Sequence, residues 1–145
     1  GRGRGEVLTP LGLPPAPLEL VLILPGFPSP TPAVYRALAP HLPSQPREPS
    51  ALLGALASGD APALGAALFN RLEAPAFELY PDLAALRDEL AAAPEALGVL
   101  LSGSGSTLIA LCAERAGAEA LAARLTAEPP QAFPELRAFA TQSVA

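Results

Sequence analysis

The chain has 145 residues, half of them hydrophobic and 16% charged, with a formal net charge of −5. These values describe one well-cored domain rather than a disordered chain, and the acidic balance argues against a nucleic-acid partner, which requires clustered cations. The longest apolar run, Leu20 to Leu24, is strand-sized, and the arginines at the start have no apolar segment behind them. No membrane span or signal peptide is therefore expected, and the cytoplasm is the default compartment.

Residue types narrow the chemistry further. One cysteine and one histidine leave no internal disulfide and too few soft ligands for a structural zinc; no metal site is expected. All nine cations are arginine, so a Schiff-base lysine, a Walker-type phosphate lysine and a Ser-Lys dyad are excluded within this chain. Methionine is also absent, which makes position 1 an unusual start and points to a tag remnant or a piece of a longer protein.

In chain order, Glu6 to Leu11 reads as a short strand ended by Pro14, Pro15 and Pro17. Glu19 to Leu24 reads as a strand apolar on both faces, hence interior to a sheet. After the rigid turn Pro25-Gly26-Phe27-Pro28-Ser29-Pro30, Thr31 is placed to cap a helix with Pro32 at its first position. Ser50 and Asp60 are expected to cap two short helices, the first stopped near Gly59 and the second running from Pro62 to Leu68. Leu79, Leu83, Leu86 and Leu90 form a helical stripe in which Pro81 predicts a break. Leu97–Leu101 and Thr107–Cys112 are strands, Glu114–Leu125 is a helix with Ala118, Leu121, Ala122 and Leu125 inward, and Leu136–Thr141 alternates like a final edge strand. This order fits an α+β fold, a ferredoxin-like split β-α-β antiparallel sheet with helices on one face, in a single domain spanning 1–145.

Between the two central strands lies Ser102-Gly103-Ser104-Gly105-Ser106, a loop with almost no side-chain bulk. It lacks the lysine of a Walker loop, the third glycine of a dinucleotide fingerprint and the flanking glycines of a nucleophile elbow. Two readings remain open from the pattern, a tight hairpin and a phosphate-side loop whose backbone approaches an anion. Asn70 could cap the following helix or point into a cleft. Cys112 reads as an inert core thiol, His41 as a partner of free carbonyls or water, and Glu73, Glu78, Asp82 and Asp88 as solvated helix faces.

Together, Arg4-Gly5-Glu6-Val7-Leu8-Thr9-Pro10-Leu11, Leu22-Ile23-Leu24-Pro25-Gly26 with Ser29-Pro30-Thr31, Asn70-Arg71-Leu72-Glu73-Ala74-Pro75, Tyr80-Pro81-Asp82-Leu83 and the Ser102–Ser106 loop resemble the C-terminal half of the GHMP kinases. The likeness is to the branch acting on 4-diphosphocytidyl-2-C-methyl-D-erythritol and runs nearly end to end. It implies a phosphotransferase using ATP and Mg2+ on a small cytidine-diphosphate-linked methylerythritol in isoprenoid synthesis. It also implies that the ATP-cradling loop, the base and its partner lysine lie in an N-terminal domain missing from this chain, which then holds no catalytic residue and is inactive alone. Ser102, Gly103, Ser104, Gly105 and Ser106 are implied to sit beside the nucleotide phosphates, with Pro25, Gly26, Thr31 and Asn70 on the substrate side. Two alternatives stand: the corresponding half of a homoserine or mevalonate kinase, and a non-catalytic ferredoxin-like binding module.

Overall fold

Apart from Glu19, every residue of Glu19–Leu24 is apolar, so neither face of this strand can be left to water. In the computed structural model, which describes residues 10, 14–42 and 47–144, it forms β1, an interior strand. Its neighbours are β3 (Leu108–Cys112) and β4 (Arg137–Gln142), and β2 (Ala96–Leu101) lies beyond β3. The strand order is β2-β3-β1-β4 with every adjacent pair antiparallel. Among the described residues, five α-helices and a short 3-10 helix (Ala39–His41) separate β1 from β2, and one α-helix separates β3 from β4: the split β-α-β arrangement expected from the sequence.

Alternation along β1 and β3 sends Val21, Ile23, Leu108, Ala110 and Cys112 to one face of the sheet. There α1 (Thr31–Ala37), α4 (Glu73–Leu79), α5 (Pro81–Ala91) and α6 (Arg115–Ala127) close the main core with Val34, Ala76, Leu83, Leu90 and Leu121. The other face is not bare. The pair α2 (Ser50–Ser58) and α3 (Ala61–Ala67) lays Leu56 and Leu64 against Leu20, Leu97 and Leu111, adding a second, smaller core to the helices-on-one-face expectation. A Cβ on Gly65 would lie 2.3 Å from the Leu97 carbonyl oxygen, so the backbone of α3 rests directly on β2.

Helix boundaries follow local chemistry with two corrections. Asp60 caps α3 as expected, accepting the Ala63 N–H at 3.0 Å. Thr31 and Ser50, however, are the first helical residues rather than caps; Pro30 and Pro49 take the cap positions without side-chain hydrogen bonds. The Pro30 carbonyl accepts the Ala33 N–H at 2.8 Å, which leaves the Thr31 hydroxyl free for another partner. The expected break falls at Tyr80, non-helical (φ −132°, ψ 76°) before Pro81, and it separates α4 from α5. It also removes Leu79 from the buried stripe, which continues through Leu83, Leu86 and Leu90 alone. Except for Pro10, the strand expected at Glu6–Leu11 lies outside the described residues. No helix among the described residues is long and apolar enough to cross a membrane.

Candidate functional site

The Ser/Gly loop leaves the sheet at the end of β2 and returns at β3. It closes on itself through Ser102 N–H to the Thr107 carbonyl and Gly105 N–H to the Ser102 carbonyl, both 2.9 Å. Gly103 (φ +57°) and Gly105 (φ +87°) occupy the left-handed region, and a Cβ on Gly105 would also press to 3.0 Å from Leu101 Cδ1. Among the described residues, the N–H groups of Gly103, Ser104 and Ser106 have no hydrogen-bond acceptor. A turn of small residues with unspent amides is the chemistry that receives an oxyanion.

Two segments distant in sequence hold this loop. From the β1–α1 turn, the Ser29 hydroxyl donates to the Ser104 carbonyl at 2.8 Å, and the Thr31 and Ser104 hydroxyls meet at 2.8 Å. The Ser106 hydroxyl donates in return to the Phe27 carbonyl. From the turn before α4, Asn70 Nδ2 donates to the Leu101 carbonyl at 2.8 Å and the Gly103 carbonyl at 2.7 Å, while its Oδ1 accepts the Leu72 N–H at 2.9 Å. Glu73 completes the clamp by accepting the Leu101 N–H at 2.9 Å. Asn70 does not cap α4, whose N-cap position is Leu72 without a side-chain bond; it closes the turn before the helix and grips the loop instead.

Pro25 and Gly26 stand apart from this cluster. They line a neighbouring cleft of about 420 Å³ with Tyr80, Asp82, Phe133 and Glu135. Phe27 links the two places, its ring packed 5.2 Å from Tyr80 and 5.7 Å from Phe133 while its carbonyl takes Ser106. The structure thus gathers Thr31, Asn70 and Ser102–Ser106 directly and joins Pro25 and Gly26 through one residue. Sequence reading missed Phe27, Ser29 and Glu73. Ser29 and Thr31 flanking Pro30 offered a signal, two hydroxyls beside a residue that cannot donate; Glu73, three residues after Asn70, looked like any solvated helix carboxylate. Tyr35, four residues beyond Thr31 and so on the same helical face, is 57% exposed.

The groups with displaced pKa values lie at the opposite end of the sheet from the loop. There Arg124 holds the Glu95 carboxyl below its usual range by a paired hydrogen bond, and Glu95 in turn raises Arg124. Burial pushes the Cys112 thiol up, helped by Glu95 and Glu19, as suits an inert core thiol. His41 pairs with the Glu78 carboxylate at 3.2 Å, not with the helix-end carbonyls expected from the sequence. The donor set around the loop does not suit Mg2+: it is hydroxyls and amides, and its one carboxylate, Glu73, already accepts from Leu101.

The family profile described as GHMP kinases C terminal matches residues 52–131. The chain belongs to the GHMP kinases. A 4-diphosphocytidyl-2-C-methyl-D-erythritol kinase of Thermus thermophilus is 45% identical over 128 residues, 84% of this chain and 43% of the relative. One from Pelotomaculum thermopropionicum is 42% identical over 123 residues, 85% of this chain and 42% of the relative. A crystal structure of 4-(cytidine 5'-diphospho)-2C-methyl-D-erythritol kinase superposes with a TM-score of 0.76 at 38% identity, covering 98% of this chain and 48% of that one. The chain therefore spans less than half the length of the GHMP kinases it matches.

Proposed function

We propose that this chain is the C-terminal lobe of an ATP-dependent kinase that phosphorylates the 2-hydroxyl of 4-diphosphocytidyl-2-C-methyl-D-erythritol, a cytoplasmic step of non-mevalonate isoprenoid synthesis. In this reading the nucleotide-gripping lobe, with its phosphate loop, base and lysine, belongs to the part of the relatives' length that this chain does not span. The observation that carries it is the Thr31–Ser104 hydroxyl pair, which joins the β1–α1 turn to the Ser/Gly loop and makes one continuous wall.

Each residue then has a physical task. Gly103, Ser104 and Ser106 present amides where phosphoryl oxygens gather charge, and fixed donors of this kind need no reorganisation as charge develops. Ser29, Asn70 and Glu73 act as positioning residues, because they fix the loop's carbonyls and leave its amides outward. Tyr35 offers an aromatic face on the Thr31 side, suited to a flat base. In this reading the base that removes the hydroxyl proton is supplied by the other lobe. Phosphoryl transfer is chiefly a matter of positioning, so one wall alone cannot turn over.

The test is to assay phosphorylation of the cytidine-diphosphate substrate by the chain alone and by the chain joined to the N-terminal half of the Thermus relative. The expected result is no turnover alone and ATP-dependent turnover once joined. Failure of the joined, folded protein to phosphorylate this substrate would overturn the reading.

A further inference from the structure

Away from the loop, three of the chain's nine cations line one cavity. Arg47, Arg71 and Arg87 surround a space of about 470 Å³ bordered by Phe69, Phe77 and Asn70. In a chain with net charge −5, that concentration is unusual. Arg47 stacks 4.4 Å from the Phe69 ring centre, and Arg87 lies 5.2 Å from that of Phe77. A guanidinium laid on a ring has its position set while its in-plane N–H donors remain available. Among the described residues, the buried Arg87 Nε has no hydrogen-bond partner, an unsatisfied donor of the kind that native structures rarely keep.

The carboxylates nearby are largely committed. Glu73 also borders the cavity, but its Oε1 accepts from Leu101; Glu78 pairs with His41, and Asp88 meets Arg87 at 3.2 Å. Among the described residues, Arg47 and Arg71 have no carboxylate within ion-pair distance. A single carboxylate ligand would satisfy one guanidinium fork, whereas the two unpaired forks of Arg47 and Arg71, with Arg87 beside them, match an anion with several charged oxygens. The volume falls in the usual range for a small-molecule site.

We propose that this cavity is a second oxyanion site, separate from the Ser/Gly loop, that takes a diphosphate-bearing small molecule held by Arg47, Arg71 and Arg87. Asn70 is the wall shared by the two places, since it borders the cavity while its amide nitrogen grips Leu101 and Gly103. The site's binding requires neither ATP nor the other lobe, so its test is independent of the kinase reading.

The test is a titration of the 145-residue chain with inorganic pyrophosphate at constant ionic strength, followed by backbone and arginine Nε–H NMR signals. Saturable shifts are expected at Phe69–Glu73 and at the Arg71 and Arg87 Nε–H, with affinity reduced roughly tenfold or more in the Arg47→Gln/Arg71→Gln variant. Arg47 and Arg71 are both exposed, so that variant retains the fold; Arg71→Lys, which keeps the charge but loses the fork, should lie between the two. Three results would each overturn the proposal: no saturation in the low-millimolar range, shifts confined to Ser102–Ser106 that survive the double substitution, or equal affinity for sulfate.

Discussion

The two ends of the sheet are built from different chemistry. At the end where β2 passes into β3, the chain is held by neutral hydroxyl and amide groups bonded to main-chain carbonyls: Ser29, Asn70 and Ser106 act there, and Glu73 alone carries charge. At the opposite end the ties are ionic. Glu95 pairs with Arg124, Glu19 lies 3.8 Å from Arg115 and accepts from Gln142, and Arg115 bonds Glu119 at 2.7 Å. Two of these ties, Glu95–Arg124 and Glu19–Arg115, staple α6 to the sheet. Neutral ties fix a backbone and leave its amides available. Within one sheet, the first arrangement serves the fold and the second is what a ligand site requires.

Substitutions can break this contrast. The largest loss of stability is expected where neither chemistry operates, at the contact of α3 with β2. Gly65→Val would drive side-chain carbon into the Leu97 carbonyl and should cost about 3 kcal/mol, read as a lowered Tm and urea midpoint. Next is Asn70→Ala, which strips the loop carbonyls of their donor. A loss of about 1–3 kcal/mol is expected, with faster hydrogen exchange confined to the loop and the turn before α4. Exchange rising equally at the ionic end would erase the distinction between the ends.

Arg124→Ala should cost less, about 0.5 kcal/mol at neutral pH, because Arg124 is half exposed. Its signature is in the pH dependence. The folded Glu95 value is depressed, so its contribution is full above the usual carboxylate range and is lost as pH falls through the lowered value. The variant should therefore show a flatter acid limb in urea-monitored stability, and an unchanged limb would assign the acid sensitivity elsewhere. The smallest effect concerns Cys112: buried and raised, it should resist alkylation in the native chain and react once urea unfolds it.

Much of the fold was legible because it rests on periodicity. The two-sided apolarity of Leu20–Leu24, the inward face of α6 and the break at Pro81 follow from spacing and from proline's missing N–H. The α2–α3 layer on the second face was not legible. Leu52, Leu56 and Leu64 show an apolar side, but no periodicity says which face of a sheet a helix pair will cover. At the site, the glycines and serines of the loop announce a close approach and the hydroxyls flanking Pro30 hint at another, whereas Glu73 acts only through a backbone N–H 28 residues away. Partnership of that kind arises from tertiary geometry and leaves no local mark.

The most direct measurement is kcat/KM for ATP in the chain joined to a nucleotide-binding lobe, comparing Gly105→Val at the loop end with Arg124→Ala at the ionic end. A fall of about a hundredfold or more is expected for Gly105→Val, as for loss of positioned donors, with Arg124→Ala near the parent value. Equal activity of the two variants, both folded, would contradict the assignment of the Ser/Gly end as the working wall.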